Sequence, residues 1–493
     1  MTETKPSKYK YLAGNLALFT ISNFVSNILV FLLVPFYTNV LTTADYGIAD
    51  VMQTTLLLLV PALTVNMGEA ALRFGIDRSG KRRDILRIGF KFVSAACIAV
   101  ASVCALGCFV VSRDIRWYLF LFIFLFLTNC IYEFLILFFQ GCEKVKIVVC
   151  GSVFSTLILL ISNILFLLVI KIGLNGYLLS QMLAFSSASV LMLVLGHKAM
   201  PDIVSCRGNT GHDKDFEKEM ISFGVPMIAY STGSWINNAA DRYIVLALCG
   251  AAVNGVYGVA YKIPAILTVF QRIFAQSWQM SAVKSYEDDN SREFFSAMYS
   301  AYNAFMVTGC SFLILTVRVL AGLMFKKDFY EAWKYVPPLL ISVVFGAMTG
   351  FLGSICLAYK DSKAMGLATG IGAGVNIVLN LILIPGYGAM GAAIATGISY
   401  YIMYILAYIK VSGHIKLNIS LLRDYAAYIL LVAEAVVMVA GGRLALSAAR
   451  EYTIAGVLFA VIILLYIKDI AAMLRKLIKR SSSEQAGTDD GER

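Results

Sequence analysis

The chain has 493 residues, of which 59% are hydrophobic and 14% charged, with a net charge of +11 and a mean hydropathy of +0.77. That composition excludes a water-soluble globular protein of this size and makes the bilayer its solvent. The basic excess does not call for nucleic acid, because Lys and Arg gather on one side of a membrane protein and meet anionic headgroups there.

Period-2 alternation is absent, which excludes a barrel, so the fold class is an all-α integral membrane protein. The polar opening Met1 to Lys10 precedes an apolar run that is too long for a signal peptide and lacks a small-x-small cleavage site, so it reads as a retained first span. Apolar runs of roughly 20 residues predict about 14 transmembrane helices. In chain order they lie near 12–37, 48–67, 89–112, 117–140, 147–170, 177–196, 221–248, 256–283, 294–324, 335–358, 364–384, 388–410, 425–446 and 452–468.

An even number places both termini on one side. The basic loops with Arg78, Lys81, Arg82, Arg83 and Arg87, then Lys144 and Lys146, then Lys198, Arg207, Lys214 and Lys218, then Lys360 and Lys363, share that side. It is therefore expected to be the cytoplasm, with the chain multi-pass in the cell (inner) membrane.

The longest hydrophilic interruption, 197–219, is expected to be a cytoplasmic linker. The expected domains are an N-terminal lobe 1–196 (spans 1–6), the linker 197–219, a C-terminal lobe 220–411 (spans 7–12), spans 13 and 14 in 412–469, and a cytoplasmic tail 470–493. Weak internal similarity supports two six-helix lobes plus two extra C-terminal helices. Tyr46-Gly47-Ile48 aligns with Asn254-Gly255-Val256, and Gly173-Leu174-Asn175-Gly176 with Gly388-Ala389-Met390-Gly391, at nearly the same interval.

Charges at membrane depth cost roughly 2.5 to 3.5 kcal/mol each on insertion scales and ask for a partner or a wet cavity. Glu69 with Arg73, Asp241-Arg242, Lys262 with Arg272, Arg318 and Glu133 are such charges, and most of the excess is positive. On one straight helix Lys262 and Arg272 lie about 15 Å apart along the axis and about 80° apart around it, which suits one cavity at two depths. A diphosphate best justifies such cations, through charge-assisted hydrogen bonds. Arg73, Arg242, Lys262 and Arg272 are the candidate diphosphate ligands. Glu69, Asp241 and Glu133 are supporting or coupling candidates and the only acids expected near membrane depth.

The bland readings are that Glu69 and Arg73 satisfy each other at i, i+4, that Asp241 and Arg242 form a structural pair, and that Arg318 snorkels to outer headgroups. Pro35 and Pro264 are hinge candidates, since a proline inside a helix frees a carbonyl and bends it. No catalytic or metal site is expected. His197, His212 and His414 lie far apart in loops, no CxxC pair occurs among ten cysteines, and no phosphate-binding Gly-rich loop is present, so no cofactor is expected.

Asn15, Pro35-Phe36-Tyr37-Thr38 and Asp45-Tyr46-Gly47 resemble the first hairpin of the polysaccharide repeat-unit flippases (Wzx or RfbX type) of the MOP exporter superfamily. So do Asp241-Arg242 followed by Gly255-Val256-Tyr257 and Ala260-Tyr261-Lys262. The run Pro385-Gly386-Tyr387-Gly388-Ala389-Met390-Gly391-Ala392-Ala393-Ile394-Ala395-Thr396 is the most specific piece. The resemblance spans roughly 10–470. It implies a V-shaped pair of lobes that flips an undecaprenyl-diphosphate-linked oligosaccharide by alternating access for cell-surface polysaccharide synthesis, with membrane lipids and other polysaccharide-assembly proteins as partners. Lipid II flippases and drug/cation antiporters share the superfamily and are alternatives. From other classes, a membrane polymerase or ligase, or an assembly scaffold, also remains open.

Overall fold

A computed structural model describes residues 33–201, 213–286, 290–359, 361–441 and 447–489. The described residues are helical and contain no strand. In chain order the α-helices are α1 (Val34–Val40), α2 (Thr43–Leu63), α3 (Met67–Asp77), α4 (Arg82–Gly107), α5 (Arg113–Gly141), α6 (Val145–Asn163), α7 (Gly173–Ala199) and α8 (Lys214–Cys249). They continue as α9 (Ala251–Ala260), α10 (Pro264–Ser285), α11 (Ser291–Leu315), α12 (Val317–Met324), α13 (Val336–Ala358), α14 (Ser362–Tyr387), α15 (Ala389–His414), α16 (Leu421–Ala440) and α17 (Ala448–Asp489).

Ten described helices are long and apolar enough to cross a membrane, or eleven if α9 and α10 form one bent span. The fold class stands as expected, but the count falls short of 14 for identifiable reasons. Most of the first expected span, 12–37, lies outside the described residues. α8 carries a polar run from Ser231 to Asp241, and α16 carries Arg423, Asp424 and Glu434. Both helices are long enough to span, yet each needs polar partners to do so.

The chain divides into two compact units, Met1–Ala239 and Ala240–Arg493, and the division falls inside α8. Of the expected linker 197–219, residues 202–212 lie outside the described residues.

In the first unit α2 starts at an N-cap in which Thr42 Oγ1 accepts the Asp45 N–H at 3.1 Å. It stops at Thr64 because Val65 and Asn66 both take left-handed backbone, at φ 54° and 50°. That geometry is costly for a β-branched valine and must be held by its surroundings. Gly224 of α8 supplies part of that hold: a Cβ there would sit 2.0 Å from the Val65 carbonyl oxygen, so only glycine lets the two backbones meet. α5 is apolar over most of its surface, Asn129 and Glu133 excepted, and is the centre of the unit, packed by α3, α4 and α7, with Leu125, Phe126, Leu135, Phe138 and Phe139 wholly buried.

Asp213 caps α8 by accepting the Phe216 N–H at 3.0 Å, and ion pairs Lys81–Asp213 (2.7 Å), Arg78–Glu219 (2.7 Å) and Lys91–Glu217 (2.5 Å) tie its start to the loop after α3 and to α4. The Lys81 ammonium, with the Phe216 N–H, holds the Asp213 carboxyl below the usual carboxylate range. These pairs are partly solvated and contribute little each.

In the second unit α13 is the buried helix, enclosed chiefly by α10, α11 and α15. α16 packs on α11, α13 and α17. Buried polar groups fix that docking. Tyr466 donates to Asp424 at 3.0 Å, Asn303 donates to Tyr466 at 3.0 Å, and Tyr428 donates to Asn303 at 2.9 Å. A network of this kind specifies one arrangement because every misalignment strands a polar group.

Candidate functional site

The charges singled out from the sequence fall into two groups, one in each unit. In the first, Pro61 lies inside α2 and cannot donate to the Leu57 carbonyl one turn back, which leaves that acceptor free. Leu57 and Pro61 line a cavity of about 220 Å³, together with Thr64, Asn66, Glu69, Cys130, Glu133 and Ser231. Asn66 Nδ2 donates to Ser231 Oγ at 3.4 Å across it. The two carboxyl groups, from α3 and α5, enter one pocket whose described lining residues include no Lys or Arg.

Arg73 does not serve Glu69. It is exposed, its Nε stands 3.9 Å from Asp77 and its guanidinium lies 4.8 Å from the Phe223 ring centre. The expected i, i+4 pairing is corrected accordingly: the next turn toward the helix end supplies the acid. Pro35 occupies the first turn of α1, where a missing N–H costs nothing.

In the second unit the centre is Asp241, which is 3% exposed. Tyr257 donates to its Oδ2 at 2.6 Å and Tyr261 at 3.0 Å. Thr396 Oγ1 lies 3.5 Å from the same oxygen and 3.0 Å from the Ala392 carbonyl, donating to one of them. Asn376 Nδ2 points to Thr396 at 3.4 Å, and Asn380 Nδ2 to Asn376 at 2.9 Å. A chain of hydroxyls and amides from α9, α14 and α15 thus converges on one buried carboxylate.

Arg242 stands aside, with its guanidinium 4.7 Å from the Tyr261 ring centre. The expected Asp241–Arg242 pair is corrected, because consecutive helical residues diverge by about 100° and do not face each other. Tyr261 instead joins the two, with its hydroxyl on Asp241 and its ring face under Arg242.

Lys262 follows Tyr261 in the break between α9 and α10, which meet at 48°. The break falls just before Pro264, which opens α10 and lacks the N–H that would continue the first helix. Lys262 is half-buried and Arg272 exposed. The straight-helix separation expected for them does not hold, since the bend lies between them. Arg242 and Lys262 flank Tyr261, Arg272 is more than two turns along α10, and Arg73 belongs to the other unit.

Arg318 does not snorkel. Its Nη1 is 2.6 Å from Glu451, its Nη2 donates to the Met438 carbonyl at 2.6 Å, and its guanidinium covers the Trp333 ring at 4.4 Å. Three buried acids were also missed, Glu434, Asp424 and Glu451. Glu434 in α16 is wholly buried against Ser311, and Asp424 is 1% exposed beside Arg423 and Tyr466. Glu434 was legible, standing alone in the apolar run Leu430 to Val439. Glu451 was not, because only its partner shows that it is buried.

Comparison with known proteins places these residues in a family. The model of the polysaccharide biosynthesis protein family matches residues 12–279. No curated protein sequence matches. Among solved structures, lipid II flippase MurJ in an inward closed conformation is similar with a TM-score of 0.66 at 16% identity, over 94% of this chain and 100% of that one. An inward-facing multidrug resistance MATE transporter of the MOP superfamily gives 0.61 at 11% identity, over 78% and 95%. A MOP superfamily transporter from Pyrococcus furiosus, described as having a binding pocket of reversed polarity, gives 0.51 at 12% identity, over 81% and 93%. At these identities the structures share a fold, that of a multi-span membrane transporter. With more than half of its residues matched by the family model, the chain belongs to the polysaccharide biosynthesis protein family.

Proposed function

We propose that this protein is a flippase that carries an undecaprenyl-diphosphate-linked oligosaccharide from the inner to the outer leaflet of the cytoplasmic membrane, for assembly of a cell-surface polysaccharide. The observation that carries the reading is the family match over 12–279 on a fold shared with a lipid II flippase. The basic side chains Arg242, Lys262 and Arg272 of the second unit and Arg73 of the first are the proposed captors of the diphosphate, by charge-assisted hydrogen bonds. Pro35 and Pro264 are the proposed hinges, the latter beside a 48° bend. The lobe and linker boundaries expected from the sequence belong to the same proposal.

Energy would come from an ion gradient or the membrane potential, where one charge moved through 100 mV is worth about 2.3 kcal/mol. Glu69, Glu133 and Asp241 are the groups proposed to carry that coupling. The carboxyl-lined cavity of the first unit also favours a second reading, a cation antiporter, because an acid pocket free of described basic residues suits a cation.

Purified protein in sealed vesicles separates the two. Outward movement of an undecaprenyl-diphosphate-linked oligosaccharide that stops when uncouplers collapse the gradients supports the flippase. Transport that survives uncoupling overturns the coupling, and exchange of an organic cation with no movement of the lipid-linked sugar gives the antiporter.

Both termini are proposed to be cytoplasmic, on the distribution of Lys and Arg. Reporters fused after Ser481 and within 197–219 are expected to read as cytoplasmic, and an external signal from either would break the topology.

A further inference from the structure

On α16 the residues Ala427, Leu431, Glu434, Ala435 and Met438 form one buried stripe at helical spacing. Glu434 is thus a carboxyl set among apolar neighbours, 0% exposed and about 20 Å along the helix from Leu421 at the α-helical rise. Ser311 of α11 donates to its Oε2. Its Oε1 is enclosed and has no hydrogen-bond partner among the described residues.

The buried acids on either side of it are compensated. Arg423 stands 3.3 Å from Asp424, and Arg318 stands 2.6 Å from Glu451. Asp424 is about 15 Å from Glu434 along α16, and Gly441, which packs on Glu451, is about 10 Å the other way. Between these clusters the helices that enclose Glu434 bring no described charge. α11 offers Ser311 and the wholly buried Cys310 thiol, the buried face of α17 is Ala455 and Ile462, and α13 carries no charged side chain. A carboxylate without a cation is expensive in such a place, and ionisable groups at membrane depth mark proton and ion pathways. A hard metal ion takes six or more oxygen ligands, whereas no group of three acids, cysteines or histidines able to hold a metal occurs among the described residues. A proton needs a single lone pair, and Oε1 presents one.

We propose that Glu434 is a reversible proton-binding site of the second unit, and that its proton keeps α16 docked on α11. On loading, Oε1 forms an O–H bond to a proton from hydronium, whose own O–H bond breaks to leave water. On release the same proton returns to water. Ser311 keeps its hydrogen and donates to Oε2 in both states. Loss of the proton leaves a bare charge on the contact between α11 and α16, so release goes with α16 loosening enough to admit water. Proton binding stands by itself, whereas its part in transport rests on the flippase reading, to which it adds a coupling acid besides Glu69, Glu133 and Asp241.

Infrared difference spectra of the full-length protein between acid and alkaline buffer test the site. Wild type is expected to show a protonated-carboxyl C=O band that vanishes on the alkaline side and is missing from Glu434→Gln, whose amide oxygen can still accept from Ser311. Ser311→Ala is expected to raise the frequency of that band, because the C=O at Oε2 loses its donor, and this shift identifies the band if Glu434→Gln does not fold. In sealed vesicles, an imposed pH difference that accelerates flipping of the lipid-linked sugar by wild type is expected to lose most of its effect on Glu434→Gln. A band that stays constant from acid to alkaline buffer, or no band that responds to either substitution, overturns the proton site. A titrating band beside a flipping response that Glu434→Gln leaves intact overturns its part in transport. Titration in a protein that moves no lipid-linked sugar supports the site and fails the flippase reading instead.

Discussion

Neutralising Lys262 or Arg272 to glutamine is expected to reduce export of the lipid-linked sugar by about ten- to a hundredfold while leaving protein abundance near wild type. The size follows from losing one hydrogen bond to a charged group, about 1.5–3 kcal/mol. Stability is spared because Arg272 is exposed and Lys262 half-buried at a helix break, so neither change opens a packed core or orphans a described acid. Arg242→Gln is expected to behave alike. Asp241 would keep the Tyr257 and Tyr261 hydroxyls at 2.6 and 3.0 Å, so removing the arginine does not strand the carboxylate. Cell-surface polysaccharide measured beside immunoblot abundance checks this. Normal export in all four of Arg73→Gln, Arg242→Gln, Lys262→Gln and Arg272→Gln would sink the cationic capture of the diphosphate.

Arg318→Gln is expected to act the other way, by lowering abundance and thermal stability. Its partner Glu451 has a side chain only 4% exposed, against 20% for the arginine. Removing one member of a buried pair leaves an uncompensated charge, at a cost of about 3–5 kcal/mol. Gly441 sharpens the case: a Cβ there would lie 2.4 Å from Glu451 Oε1, so the carboxylate packs directly against the end of α16. Arg318→Gln with Glu451→Gln is expected to recover part of the loss, because the buried charge goes with its partner. Thermal melting of the purified single and double variants decides. A mild single variant with additive double effects would mean the arginine is solvated.

The sequence by itself determined the solvent, the helical class and the family, because each depends on properties summed along the chain. Hydropathy over roughly 20 residues reports a span whatever its neighbours are, and the run Pro385 to Thr396 carries its resemblance without any fold. It also located the charges worth asking about, since a Lys or Asp within an apolar run is expensive in any arrangement. Pairing was the part it did not determine. Arg73 with Asp77, Asp241 with two tyrosines and Arg318 with Glu451 are choices among partners at similar chain distance or far apart, and only packing selects one. The single straight helix assumed for Lys262 and Arg272 failed for a related reason: Pro264 permits a bend, and only the structure shows that the chain takes it, at 48°. The carboxyl-lined cavity was likewise decided by tertiary structure alone. It is the space between faces of several helices, and its character follows from which residues those faces turn toward one another.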